Sequence, residues 1–97
     1  LAVGLYRRSV ASVALLLAAS TSTAPADPAA EQLFRDGKQL LKDGQVDQAC
    51  DKLAASQAIE AKSGTLLNLA DCRERQGRFA TAWELFLQAK ALANREN

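Results

Sequence analysis

From about residue 31 the apolar and polar positions of this chain follow a helical period, and the pattern comes round twice. Leu33, Gly37, Leu40 and Leu41 recur at spacings of three and four, which gathers them on one side of a helix. Gly44 breaks the run, and Val46, Ala49, Leu53 and Ser56 then resume it. A second stretch opens on Leu66, Leu67, Leu69 and Ala70, breaks at Gly77, and continues through Phe79, Ala82, Phe86 and Ala89. Laid over each other at an offset of 33 residues, the two stretches share Leu33/Leu66, Gly44/Gly77, Ala49/Ala82 and Ala58/Ala91. Gly37/Ala70, Val46/Phe79, Leu53/Phe86, Ser56/Ala89 and Ile59/Leu92 match in kind. The chain thus predicts two copies of one unit, each a helix, a glycine turn and a second helix.

The boundaries follow from local chemistry. Asp27 before Pro28 is a helix start, because a carboxylate caps free backbone amides and Pro costs nothing at the first helical position. The first helix is expected to begin between Pro28 and Glu31 and to end near Lys42, with Gly44 taking the left-handed conformation that closes a helix. Gly37 is small enough to let the next helix come close. That second helix spans about Val46 to Glu60, with Val46, Ala49, Leu53 and Ser56 facing the first. Ser63, Gly64 and Thr65 offer caps for a third helix running to about Gln76, where Gly77 repeats the role of Gly44. The Leu66, Leu67, Leu69 and Ala70 patch is the expected centre of the core. A fourth helix covers about Phe79 to Asn94 and turns Phe79, Ala82, Phe86 and Ala89 toward the third. Its second apolar edge, Trp83, Leu87 and Ala91, has no further helix before Asn97 to cover it, so Trp83 is expected to stand exposed in a monomer.

The two units resemble the tetratricopeptide repeats, whose first helix carries a large apolar residue and a small one four positions later. Leu33 with Gly37 and Leu66 with Ala70 fit that pattern, as do the turn glycines and the small residues of each second helix. The units depart from it at Leu33 and Leu66 (often Trp), Asp36 (usually Leu), Arg73 (usually aromatic) and Ala61 (usually Pro). The resemblance, which spans about two thirds of the chain, implies an all-α fold of tandem antiparallel helix-turn-helix hairpins, an α-solenoid. Repeat one would run over about 30–62 and repeat two over about 63–95, within a domain of residues 27–97. It also implies a non-catalytic scaffold that binds a partner protein or peptide through the concave face of the first helix of each unit. That face would present Glu31, Phe34, Lys38, Leu41 and Lys42 from one unit and Leu67, Asp71, Glu74 and Arg75 from the other, with Trp83 as a further contact. In the same arrangement the second helix of one unit packs on the first helix of the next, which turns Cys50 toward Cys72. A disulfide and a pair of small buried thiols are both compatible with that placement.

The residues before the repeats change the reading of charge and compartment. Arg7 and Arg8 precede an uncharged run from Ser9 to Ala19 and a Ser, Thr, Ala and Pro segment, the outline of a secretory signal over residues 1–26. Its apolar run is about half of the roughly 20 residues a membrane-spanning helix needs. The expectation is export, to the periplasm or beyond, with cleavage after Ala24 or Ala26. The whole chain has 12 basic and 11 acidic residues, a formal charge of +1. Loss of Arg7 and Arg8 would leave a charge of −1, which gives no electrostatic case for nucleic acid or an anionic membrane. Arg73, Arg75 and Arg78 surround a turn, where cations suit a helix C-terminus, rather than forming a phosphate site.

The chain has no His, no Gly-rich phosphate loop and no cysteines at metal-ligand spacing. Triad chemistry and a two-cysteine zinc site are therefore excluded by composition. Asp47 and Asp51 lie one helical turn apart and read as surface charge. The expectation is a protein that is not an enzyme, with no cofactor, no metal and no small-molecule substrate. Three functions remain open: a protein-binding module, an element of dimerisation or solenoid assembly, and an accessory domain of a larger enzyme or membrane-anchored protein.

Overall fold

A computed structural model describes residues 26–96, so the leader reading falls almost wholly outside the described residues. Those residues form an all-α fold of four helices in order: α1 (Pro28–Lys42), α2 (Val46–Ile59), α3 (Ser63–Arg75) and α4 (Phe79–Glu96). Helix α1 packs closely on α2, α3 on α4, and α2 on α3, while α1 barely touches α3. Two antiparallel hairpins are thus joined through a single helix pair, α2 against α3.

Each hairpin closes by the expected chemistry. Asp27 extends its carboxylate over the start of α1 and accepts from the amides of Ala29 (2.9 Å) and Ala30 (3.3 Å). Gly44 and Gly77 both sit at positive φ, 80° and 78°, and each lies just past the end of a hairpin's first helix. No atom approaches where a Cβ would stand on either glycine, so the requirement is for backbone conformation and not for room. Gly37 has the opposite reason. A Cβ there would fall 2.7 Å from Leu53 Cγ, so the absent side chain is what lets α2 close on α1.

The core lies at the seam. Leu41, Ala49, Cys50, Leu53, Leu69 and Cys72 form one buried cluster, flanked by half-buried Phe34, Leu40, Val46, Ala54 and Leu85. Cys50 and Cys72, both fully buried, are joined by a disulfide with their Cα atoms 5.6 Å apart. The Ser56 hydroxyl, buried on α2, donates to the Ala30 carbonyl at 2.7 Å, which satisfies a polar group that would be costly to leave unpaired.

Several expectations are corrected. Leu67 lies outside the core and is 48% exposed, whereas its neighbours Leu66, Leu69 and Ala70 are buried. Phe79 does not face α3. It is 67% exposed, because it opens α4 on the side where its counterpart Val46 is covered by the following helix, and no described helix follows α4. Ser63, Gly64 and Thr65 form the first turn of α3 without a side-chain cap, and Lys62 holds the capping position. The Ser63 hydroxyl turns instead to the Glu96 carboxylate at the end of α4.

The glycines and the seam differ in how they should respond to substitution. Gly44→Val and Gly77→Val should each lower stability by about 1–2 kcal/mol through left-handed strain, whereas Gly37→Ala should lose about 1–3 kcal/mol through overpacking. Thermal melts followed by circular dichroism check both, and Leu53→Ala should restore part of the loss only in the Gly37→Ala background. Replacing Cys50 and Cys72 together by Ala removes a crosslink across a sequence separation of 22 residues. That change should cost about 3 kcal/mol by chain entropy, read as a lower urea midpoint.

Candidate functional site

The starts of α1 and α3 lie side by side, since each opens one of the two hairpins, and a cleft of about 210 Å³ forms between them. Ala30, Glu31 and Phe34 line it from α1, and Lys62, Ser63, Gly64 and Thr65 line it from the opposite helix start. Ser56 and Glu60 of the α2 end and Glu96 of α4 complete the wall. The lining is mainly small and apolar with charges around it. The Ser56 hydroxyl is buried and donates to the Ala30 carbonyl, so its proton goes to backbone and to no basic side chain.

The charges are paired across the cleft. Lys62 Nζ donates to Glu31 Oε1 at 2.7 Å and lies 3.4 Å from Glu60 Oε1, while Arg35 approaches Glu31 at 3.9 Å. Hydrogen bonding to Lys62 and the charge of the ammonium hold the Glu31 carboxyl below the usual carboxylate range. The hydrogen bond to Glu31 raises Lys62 in turn, against a smaller opposing effect of partial burial. Both groups meet water, so this bridge contributes little stability.

The residues expected on the concave face do not form one patch. Glu31 and Phe34 line the cleft, and Lys38 places its ammonium over the Phe34 ring, 5.1 Å from its centroid, a cation and aromatic-face contact. Lys42 is exposed further along α1. Leu41 is a correction. It is only 6% exposed and belongs to the core, because it follows Gly37 by one helical turn and shares the side of α1 that meets α2.

On α3, Leu67, Asp71, Glu74 and Arg75 share an outward side at spacings of four, three and one, with Asp71 and Arg75 paired at 3.2 Å. They do not line the cleft. Trp83 lies apart from both groups on α4 and is 64% exposed, as expected for a monomer. Sequence reasoning misses Lys62, Glu60 and Glu96. Glu31 and Lys62 stand 31 positions apart, close to the repeat offset, and aligning the two helix starts is the signal that brings them together.

Among the described residues, no group of three or more metal-capable side chains occurs, and no helix is long and apolar enough to cross a membrane. No family model, no curated protein and no solved structure matches this chain.

The Glu31 to Lys62 bridge gives a pH dependence with two arms. The folded pKa of Glu31 lies below its unfolded value near 4.5, so its contribution is present above that pH and is lost as pH falls through the folded value. Lys62 is raised above 10.5, so its contribution is present below that pH and is lost as pH rises through the folded value. Lys62→Met should flatten the acid arm of the melting temperature below about pH 4.5. Added salt should shrink the difference between the two proteins.

Proposed function

We propose that this chain is an exported, non-catalytic scaffold of helical hairpins that binds a protein or peptide through the outward sides of α1 and α3. The observation that carries this reading is the cleft between the helix starts, where the half-buried Phe34 ring stands among paired charges. Its volume of about 210 Å³ falls below the ~300–1,000 Å³ of small-molecule pockets. It fits an anchoring side chain of a peptide better than a metabolite. Glu31, Lys38 and Lys62 supply polar contacts of both signs around that anchor, and Lys42, Leu67, Asp71, Glu74 and Arg75 extend the surface along the two helices. The resemblance to tetratricopeptide repeats implies binding of the same kind, although the residues it points to divide between the cleft and the outer side of α3. The buried disulfide between Cys50 and Cys72 supports export, because such bonds persist in oxidising compartments.

A second reading, assembly with further protein through α4, is favoured by a separate observation: Phe79, Trp83 and Leu87 are all exposed on one helix.

The binding reading is tested by cross-linking capture from the exported fraction of the source cells, with the partner identified by mass spectrometry. Phe34→Ser should weaken capture of that partner about tenfold, the loss of one anchoring side chain, with helicity and melting cooperativity retained. A charge reversal at Lys62 should alter capture in a salt-dependent manner. Equal capture by the wild type and Phe34→Ser would remove the cleft from the interface.

A further inference from the structure

The cleft between the helix starts joins an apolar floor to a charged rim. Ala30, Ser56 and Thr65 are buried there, with the half-buried Phe34 ring beside them. Glu31, Glu60 and Glu96 line the same space and keep contact with water. Lys62 is the only cation in that lining, so the three carboxylates leave two negative charges in excess. Its ammonium is already shared: it donates to Glu31 and lies 3.4 Å from Glu60 Oε1, which also accepts from the Asp27 amide at 3.4 Å. Glu96 accepts from the Ser63 hydroxyl and pairs with no cation among the described residues.

The same space holds donors without partners. Lys62 stands at the capping position of α3 with no side-chain bond, and the first backbone bond of that helix runs from the Leu66 amide to the Lys62 carbonyl. The amides of Ser63, Gly64 and Thr65 therefore bond to nothing among the described residues. Thr65 adds a side-chain hydroxyl. It lines the cleft from a residue only 4% exposed, and it makes no hydrogen bond among the described residues, whereas the buried Ser56 hydroxyl already bonds the Ala30 carbonyl. Leaving an almost enclosed hydroxyl unpaired is costly, so its place beside a cleft marks where the acceptor of a ligand would sit. No atom lies within 4 Å of where a Cβ would stand on Gly64, so a peptide backbone can come close to these donors.

We propose that the cleft takes a peptide segment in which one aliphatic side chain stands between basic residues. Such a partner rests on the peptide-binding reading of the cleft and adds its chemistry. The aliphatic side chain suits the floor of Ala30 and Phe34, where a charged tip would lose its water. Lys or Arg on either side of that anchor stays at the wet rim, where Glu60 and Glu96 offer carboxylates. Carbonyls of the segment accept from the Thr65 hydroxyl and from the free amides of α3. An acidic segment would also find those donors, since a helix start attracts anions. It would meet three carboxylates and one ammonium that is already paired, so the rim selects against it.

Titration of the isotope-labelled protein with short capped peptides, followed by the amide signals of Ser63, Gly64 and Thr65, tests this chemistry. The peptides share a central Leu and carry Arg, Gln or Glu on both sides of it. At low salt the Arg-flanked peptide should bind about tenfold more tightly than the Glu-flanked one, with the Gln-flanked peptide between them. Added salt should narrow that gap. Glu60→Gln and Glu96→Gln should each weaken the Arg-flanked peptide about threefold and leave the Gln-flanked peptide unchanged. Thr65→Val should weaken all the peptides while the melting temperature stays level or rises, because the exchange removes a hydroxyl without a partner. A lower melting temperature with unchanged binding overturns the role of that hydroxyl. Equal affinity for the Arg-flanked and Glu-flanked peptides, with shifts still at the cleft, overturns the basic partner and leaves the peptide-binding reading standing. No shift at the cleft with any peptide overturns both. Shifts that grow with protein concentration alone put a second copy in the cleft and overturn a separate partner.

Discussion

The whole arrangement hangs on the contact of α2 with α3. Within each hairpin, a helix and its turn are specified locally, but nothing local fixes one hairpin against the other. Helices α1 and α3 barely meet, so the relative pose of the hairpins depends on Leu53, Leu69 and the small residues beside them, with Cys50 bonded to Cys72 in the middle. A domain of about 70 described residues has little core to spare. Concentrating the buried side chains and the one covalent crosslink at the same seam gives the molecule a single rigid centre, and the cleft at the helix starts inherits its shape from it. The bridge from Lys62 to Glu31 and Glu60 then fixes the rim of a geometry already determined beneath.

Much of this is legible in the residues. The four helix spans, the two left-handed glycines and the close approach at Gly37 follow from spacing and turn chemistry, which act within a few residues. The errors lie where a side chain's environment is set by a helix distant in sequence. Leu41 reads two ways, inward by its spacing from Gly37 and outward by the resemblance, and its burial assigns it to the core. Phe79 reads as inward by analogy with Val46, yet Val46 owes its partial burial to α3, an element without a described equivalent after α4. The cleft escapes a search confined to single helices because it joins the starts of two helices with the ends of the other two.

The two units have also diverged in how they meet polar demands. In the first, Ser56 reaches across to the Ala30 carbonyl, and in the second the equivalent pair is Ala89 and Ser63, with the hydroxyl on the opposite helix. Ser63 accordingly bonds Glu96 and leaves the inner packing to alanine. The repeat thus preserves the positions of contact while allowing the chemistry at each to change, and the same freedom gives α1 a polar outer side and α4 an apolar one. Asp36 stands where the second unit has Leu69, and Trp83 where the first has Cys50.

The buried disulfide has a consequence for how the chain matures. This sequence contains two cysteines, so within these residues a single intramolecular disulfide can form. The two sulfurs lie on different hairpins and are held together at the contact of α2 with α3. Once formed, the bond leaves every later unfolding excursion tethered at the seam, from which the hairpins re-form without searching for each other.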